Sequence, residues 1–431
     1  MNCVELKNKR AGTKARARGS IKAEPEDFVV EEISGSGVVL EAGKRYGDES
    51  AKGIDANFSE EGKFAVFVMQ KRNWNTMQAL REIARACNRG TKAIGFAGTK
   101  DRIALTTQLC SVFGAEPAAI SGLHIKDISI NGAWKSSSGI KLGDLLGNRF
   151  TISVRGIENY ESIGEINDEL GGKFPNYYGP QRFGTRSNNV EIGLHILNED
   201  FKSAAMEYLT GTSGEIEKEG IEARTRLSKE WDFSDALDYF PRRMKYERLM
   251  LSKLARSHDD YAGALRSLPR QMLLMFVHAV ESYIFNKALE ERVNAGLIEA
   301  QAGERVCGTN AYGFPDLQRT YSLGSIGSGH VNGSKRGDSV FPLGNVIGYD
   351  TKKEELSEFE KMLLEEMGIT PESFNTRKLP GVASKGTLRP LFAPYIGFGS
   401  KEESGSALLR FSLPSGSYAT VLLNEFVELR A

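Results

Sequence analysis

Phe64-Ala65-Val66-Phe67-Val68-Met69 is an unbroken apolar run. A strand of this kind offers no face to water, so it reads as buried on both sides. The residues after it restrict the architecture further. Asn75 or Thr76 can cap a helix whose apolar stripe is Met77, Leu80, Ala84 and Cys87, with Arg81, Arg85 and Arg89 on another face. Gly90 is placed to end it. Lys92–Gly95 then reads as the end of a buried strand, and Thr106–Phe113, rich in β-branched and apolar residues, as the next strand. This strand, helix, strand order delivers the chain to Phe96-Ala97-Gly98-Thr99-Lys100-Asp101-Arg102. Gly98 eases the turn, and rigid flanking elements would fix the Asp101 carboxylate in place. Taken alone, a Lys-Asp-Arg turn is also what a solvated surface loop looks like.

The chain has 431 residues, enough for two domains with full cores. Its 40% apolar and 26% charged residues are the profile of a soluble globular protein. Lys plus Arg and Asp plus Glu both total 56, so net charge points to no partner. Local charge is uneven. Lys7–Lys22 holds seven basic residues and no acid, and Lys63–Arg102 holds nine against two. Between Asp350 and Glu372 the balance reverses, eight acids to three bases. Positive charge around Asp101 suits a polyanion such as RNA, and equally a solvated helix face.

Cys3, Cys87, Cys110 and Cys307 form no C-x-x-C pair, and the five histidines are scattered. Neither a disulfide framework nor a metal site is expected, and a reducing cytoplasm is. The most apolar run, Met272–Val280, contains His278 and is too short to span a bilayer. The basic start has no apolar segment behind it, so no secretion signal is expected. Gly324, Gly327 and Gly329 do not spell G-x-G-x-x-G, and no phosphate-binding G-x-x-x-x-G-K-S/T occurs.

At the start of the chain, Met1–Ser20 is expected to be poorly ordered in part. Phe28–Ile33 reads as a strand, with Pro25 keeping Glu24 extended, and Ser34–Glu61 as a loop or hairpin. Alternating segments occur around Leu123–Ile130. Phe150, Ile152 and Val154 alternate with Thr151, Ser153 and Arg155, a strand entered through Gly147-Asn148-Arg149. After a helix-like Ile163–Leu170 comes a loop dense in aromatics, Pro and Gly, Phe174–Gly184. Beyond it helical patterns dominate, including one opened by Pro269 that carries Leu273, Phe276, Val277, Val280 and Ile284. Gly324–Ser339 reads as a flexible loop, Lys353–Met367 as a charged helix, and Leu408–Leu413 as a strand. A turn at Pro414–Thr420 leads into a last helix through Phe426. No repeat at a solenoid period is present.

Five separated motifs together resemble the tRNA pseudouridine synthase D (TruD) family. They are Lys-x-x-Pro-Glu-Asp-Phe-x-Val-x-Glu (Lys22–Glu32), Phe-x-Gly-x-Lys-Asp (Phe96–Asp101) and Gly-Asn-Arg-Phe (Gly147–Phe150). Asn-Tyr-Tyr-Gly-x-Gln-Arg-Phe-Gly (Asn176–Gly184) and Leu-Pro-Ser-Gly-Ser-Tyr-Ala-Thr (Leu413–Thr420) complete the set. Each is weak alone; five in the family's order are not. The resemblance implies an α+β fold: a pseudouridine-synthase catalytic core with an antiparallel sheet and helices, residues 1–173 and 385–431. A mixed α/β domain would be inserted into it at 174–384, with RNA in the cleft between them. It implies an isomerase that converts uridine to pseudouridine in tRNA, typically at position 13 of the D arm, without metal or cofactor. tRNA is the implied partner, the cytoplasm the implied location, and no protein partner is implied.

Carried over position by position, the resemblance makes Asp101 the catalytic carboxylate, attacking the nucleotide or removing a sugar proton. Lys22 matches the basic partner, with a phosphate contact as its alternative. The target base must leave its stack to react, and Phe150 matches the aromatic residue that stacks on it. Asn148 can hydrogen-bond the carboxylate or the uracil edge. Phe28 can line the pocket or simply fill the core. Lys100 and Arg102 should point away from Asp101, as neighbours in an extended turn do. Tyr177, Tyr178, Gln181 and Arg182 read as an ordered junction loop that can also reach RNA, and Tyr418 as packing beneath the site. Arg81, Arg85 and Arg89 are candidate RNA contacts. Two other readings compete: a guanine-specificity loop at Thr99-Lys100-Asp101, which lacks the required residue between Lys and Asp, and a non-catalytic RNA binder, against which an intact Asp101 speaks.

Overall fold

The computed structural model describes residues 9–324, 340–379 and 381–430. Apart from Gly324, the Gly/Ser stretch expected to be a flexible loop lies outside them.

The Phe64–Arg72 strand explains its own apolar run. Leu105–Phe113 pairs with it on one side and Ile128–Ser136 on the other, both antiparallel. Its alternate residues Ala65, Phe67 and Met69 pack on Ala79, Leu80 and Ile83 of the Thr76–Ala86 helix. Val66 and Val68 face the opposite way, into a cluster with Leu40, Tyr46 and Trp134. Two covered faces require apolar residues at every position.

From this strand the sheet extends to ten. The main order is Ile396–Glu403, Ser406–Pro414, Leu145–Glu158, Phe28–Ser34, Leu105–Phe113, Phe64–Arg72, Ile128–Ser136. Ile94–Phe96 adds to Leu105–Phe113, and Ala17–Ser20 bridges Val427–Leu429 and Leu145–Glu158. Pairing is antiparallel except where Phe28–Ser34 meets Leu105–Phe113 and Ala17–Ser20 meets Val427–Leu429. The α+β class is as expected.

Asn75 caps the helix, its side chain accepting from the Met77 and Gln78 amides. The buried stripe is Ala79, Leu80, Ile83 and Ala84; Met77 and Cys87, expected in it, are only half-buried. Nor does Gly90 end the helix. It stops at Ala86, and Asn88 takes the left-handed step at φ 53°.

From Asn189 to Asn294 the chain is mainly helical, packed around the long Arg270–Asn294 helix, where Leu273, Phe276, Val277, Val280 and Ile284 are all buried. Pro269 is its N-cap rather than a first-turn residue. Helical patterning hid a four-stranded sheet, ordered Pro315–Ser322, Arg305–Thr309, Phe341–Val346, Thr387–Pro390. Two further expectations fail. Ala17–Ser20, placed in a loose tail, is a strand, and the supposed loop after Ser34 contains the Asp48–Ile54 helix. No helix among the described residues is long and apolar enough to cross a membrane.

Candidate active site

Asp101 sits on irregular backbone between Ile94–Phe96 and Leu105–Phe113. Side chains from three elements hold that backbone. Gln108 Nε2 donates to the Gly98 carbonyl at 3.0 Å, the Lys100 amide donates to Thr76 Oγ1 at 3.0 Å, and Lys71 Nζ donates to the Asp101 carbonyl at 2.8 Å. Gln108, Thr76 and Lys71 are all buried. The turn therefore rests in a cradle made by the two strands and helix of the core.

The cations beside Asp101 in sequence do not serve it. Lys100 Nζ pairs with the fully buried Glu32 at 2.6 Å, and Glu32 also accepts the Leu109 amide at 2.9 Å. Arg102 is exposed. The partner is Lys22, whose Nζ donates to Asp101 Oδ1 at 3.1 Å while standing 4.1 Å from the centroid of the Phe28 ring. That face of the ring supports the ammonium electrostatically.

Asp101 opens onto a cleft of about 620 Å³, a size suited to a small ligand or a single nucleotide unit. Phe28, Val30, Asn148 and Phe150 line it from neighbouring strands. Phe150 stacks on its cross-strand partner Phe411 (centroids 5.6 Å, 29°) and meets Phe28 edge-on at 6.1 Å. Asn148 Oδ1 is buried without a hydrogen-bond partner in the protein. This unpaired acceptor lies just behind the cleft wall that Asn148 helps to form.

The opposite wall comes from far along the chain. Ser415–Thr420 contributes one side, and Gln181, Arg182 and Met275 the other. A buried network joins them. Arg389 donates to the Asn176 side-chain oxygen at 2.8 Å and to its carbonyl at 3.1 Å, and Ser417 Oγ donates to the same side-chain oxygen at 3.0 Å. The Arg389 guanidinium lies 4.2 Å from the Tyr178 ring centroid. Tyr177 and Tyr178 are buried scaffold, as expected. Tyr418, expected only to pack beneath the site, forms part of its wall while meeting Tyr178 at 6.3 Å.

This geometry coincides with a family assignment. A model of the tRNA pseudouridine synthase D (TruD) family matches residues 8–426. The chain belongs to that family. Relatives in Methanosarcina mazei and Thermococcus sibiricus, each named "Probable tRNA pseudouridine synthase D", are both 34% identical; the alignments cover 95% of this chain and 93% and 95% of theirs. A Methanosarcina mazei crystal structure assigned to TruD superposes with a TM-score of 0.74 at 32% identity, covering 97% of this chain and 95% of the other. The chain is accordingly a tRNA pseudouridine synthase, an isomerase acting on uridine in tRNA.

Within this TruD fold, Asp101, Lys22, Phe28, Asn148 and Phe150 converge; the three arginines do not join them. Arg81 and Arg85 are exposed, with Arg85 paired to Glu82 at 3.1 Å. Arg89 lies beyond the helix and donates to the Gly114 carbonyl at 2.9 Å. Sequence reasoning missed Lys71 and Arg389, and saw Glu32 only as the end of the Lys22–Glu32 motif. Lys71 carried a signal, since it continues the Ala65, Phe67, Met69 row where an apolar residue belongs.

Proposed function

We propose that the chain converts uridine to pseudouridine at position 13 of the tRNA D arm, with Asp101 as the reacting carboxylate and no cofactor. The position and the absence of a cofactor rest on the family resemblance. The observation that carries the role of Asp101 is its placement: a carboxylate paired with Lys22, open to a cleft lined by Phe150 and by Asn148, whose buried Oδ1 has no partner in the protein.

The reaction breaks the C1′–N1 bond, turns the uracil, joins C1′ to C5 and releases the C5 proton. Asp101 starts it by attacking the nucleotide or by removing a sugar proton, and both need an ionised carboxylate beside the sugar. Phe150 supplies the surface for the flipped base. It has no hydroxyl, so it takes no part in proton transfer. Asn148 Oδ1 suits an N–H of the uracil edge, because an ionised carboxylate has no proton to give it.

The fold also supports an inserted domain. Lys173–Pro175 and Phe392–Pro394 run antiparallel side by side, as the two crossings of an insertion would. Thr387–Pro390 pairs with Phe341–Val346, so the return crossing is better placed at Leu391 than at Ser384. The cleft then lies between the core and the insertion.

Asp101→Asn tests the assignment, since it removes charge with little change of shape. The variant should fold, bind tRNA and release no tritium from C5-labelled uridine. Turnover, once deamidation to Asp is excluded, would remove Asp101 from the mechanism. Mapping the product on tRNA transcripts should place pseudouridine at position 13, and modification elsewhere would overturn the site.

A further inference from the structure

We propose that Lys71 is a positioning residue for the isomerisation: its ammonium fixes the main chain at Asp101 and so aims the carboxylate into the cleft. The inference rests on Asp101 being the reacting group.

The argument starts from the strand. Ala65, Phe67, Met69 and Lys71 share one face of Phe64–Arg72, and the first three pack into the apolar cluster beneath the Thr76–Ala86 helix. Lys71 is fully buried, and the strand pairs on both sides at this residue, with Thr106 and Ile128 opposite. Burying an ammonium is costly unless it is well partnered. The partner here is the main-chain oxygen of Asp101, at 2.8 Å. The charged and titratable groups around it are Asp101, Lys100 and Cys110, with Glu32 engaged by Lys100.

The other two ties to the turn are neutral, a Thr76 hydroxyl and a Gln108 amide. Neither acts on Asp101 itself. Between Lys100 and Ala104 the chain follows neither helix nor strand, so no ladder of main-chain hydrogen bonds sets the Asp101 backbone. Lys71 does, reaching from a strand locked on both edges. Burial, opposed by Asp101 and aided by Lys100, pulls its amine down to about 8. The amine is thus charged at neutral pH and loses its charge as pH rises past about 8.

Lys71→Met keeps an unbranched apolar stem, one atom shorter, and removes the donor. Its tRNA dissociation constant should stay within about twofold of the parent. Its single-turnover rate at saturating enzyme should fall by about 100-fold, the scale of a 1 Å misplacement of a reacting group. The parent's rate should decline above about pH 8, and the variant's slower rate should stay flat there. A merely structural lysine would lower yield or melting temperature and leave the rate per folded molecule unchanged. A variant rate within about threefold of the parent, or a decline above pH 8 that persists in the variant, overturns the proposal. Should Lys71→Met not fold, the parent alone decides: a rate constant flat from pH 7 to 9 overturns it. Asp101→Asn run alongside separates the two ideas. Activity there defeats the assignment of Asp101, whereas a parent-like Lys71→Met defeats only the role of Lys71.

Discussion

Lys22 holds Asp101 from a left-handed backbone: φ is 61° at the residue whose Nζ sits 3.1 Å from the carboxylate. A long side chain pays on the order of 1 kcal/mol for that conformation. Such strain persists where surrounding structure enforces it, often at reacting centres. Here it turns the side chain over the Phe28 ring, 4.1 Å away, and onto Asp101.

Lys22→Met should therefore depress the single-turnover rate by about 10-fold or more while tRNA affinity changes little. Comparing rate with affinity on the same tRNA checks it. A loss confined to affinity makes Lys22 a phosphate contact instead.

Phe150→Leu tests the base surface. The ring is only 5% exposed and stacked on Phe411, so the swap should cost about 1 kcal/mol of stability, as near-isosteric core changes do. Losing a stacked base should cost more in function: about 10- to 100-fold in kcat/KM. Phe150→Tyr, which keeps the ring, should stay active. Equal activity of the Leu and Phe forms would place the base elsewhere.

Arg81 is exposed and Arg85 is exposed though paired with Glu82, whereas Arg89 is engaged with Gly114. Replacing the first two by Ala should flatten the salt dependence of tRNA binding by up to about 1.5 log units per log unit of salt. Different tRNAs should weaken equally, since phosphate carries no base information. An unchanged slope moves the RNA footprint off this helix.

Lys71 makes a prediction about stability that is separate from its effect on rate. Its folded value of about 8 lies below the ordinary 10.5, so at neutral pH the fold carries the cost of a buried charge, on the order of 3 kcal/mol. Between about pH 8 and 10.5 the unfolded chain binds the extra proton, so stability rises with pH there. The parent should accordingly gain on Lys71→Met as pH goes from 7 to 9 in paired urea titrations. Parallel behaviour would show the amine to be ordinary.

How far the site could be read from sequence varied with the kind of information each residue carries. Asp101 and Lys22 stand out in the sequence because both sit in short motifs, although the sequence alone gives no distance between them. Lys71 is hard to read because a charge normally ends a buried strand, and the unbroken apolar run stops at Met69, two residues short of it. Arg389 was invisible for a related reason, since an arginine at a strand end reads as surface until Asn176, Ser417 and Tyr178 are brought around it. Ile396–Glu403 was missed as a strand because it is an exposed edge, rich in Gly and charge, with no buried row to mark a period of two. Several core strands are readable from their apolar faces, whereas their antiparallel pairing enters only through the family resemblance. The four-stranded sheet is not readable: Pro315–Ser322 is largely exposed, and its pairing is set by residues far away in sequence.

The Leu145–Glu158 strand carries Asn148 and Phe150, yet its neighbour Ser406–Pro414 is encoded more than two hundred residues later. A ribosome adding 5–20 residues per second leaves that edge waiting about 10–50 s. Throughout the wait Phe150 lacks Phe411, and the wall from Ser415 to Thr420 does not exist. An unpaired strand edge is a template for wrong pairing, so the nascent chain carries such an edge throughout this interval. The same order separates the two halves of the cleft in time: Asp101 emerges early, whereas the Ser415–Thr420 wall facing it follows more than three hundred residues later.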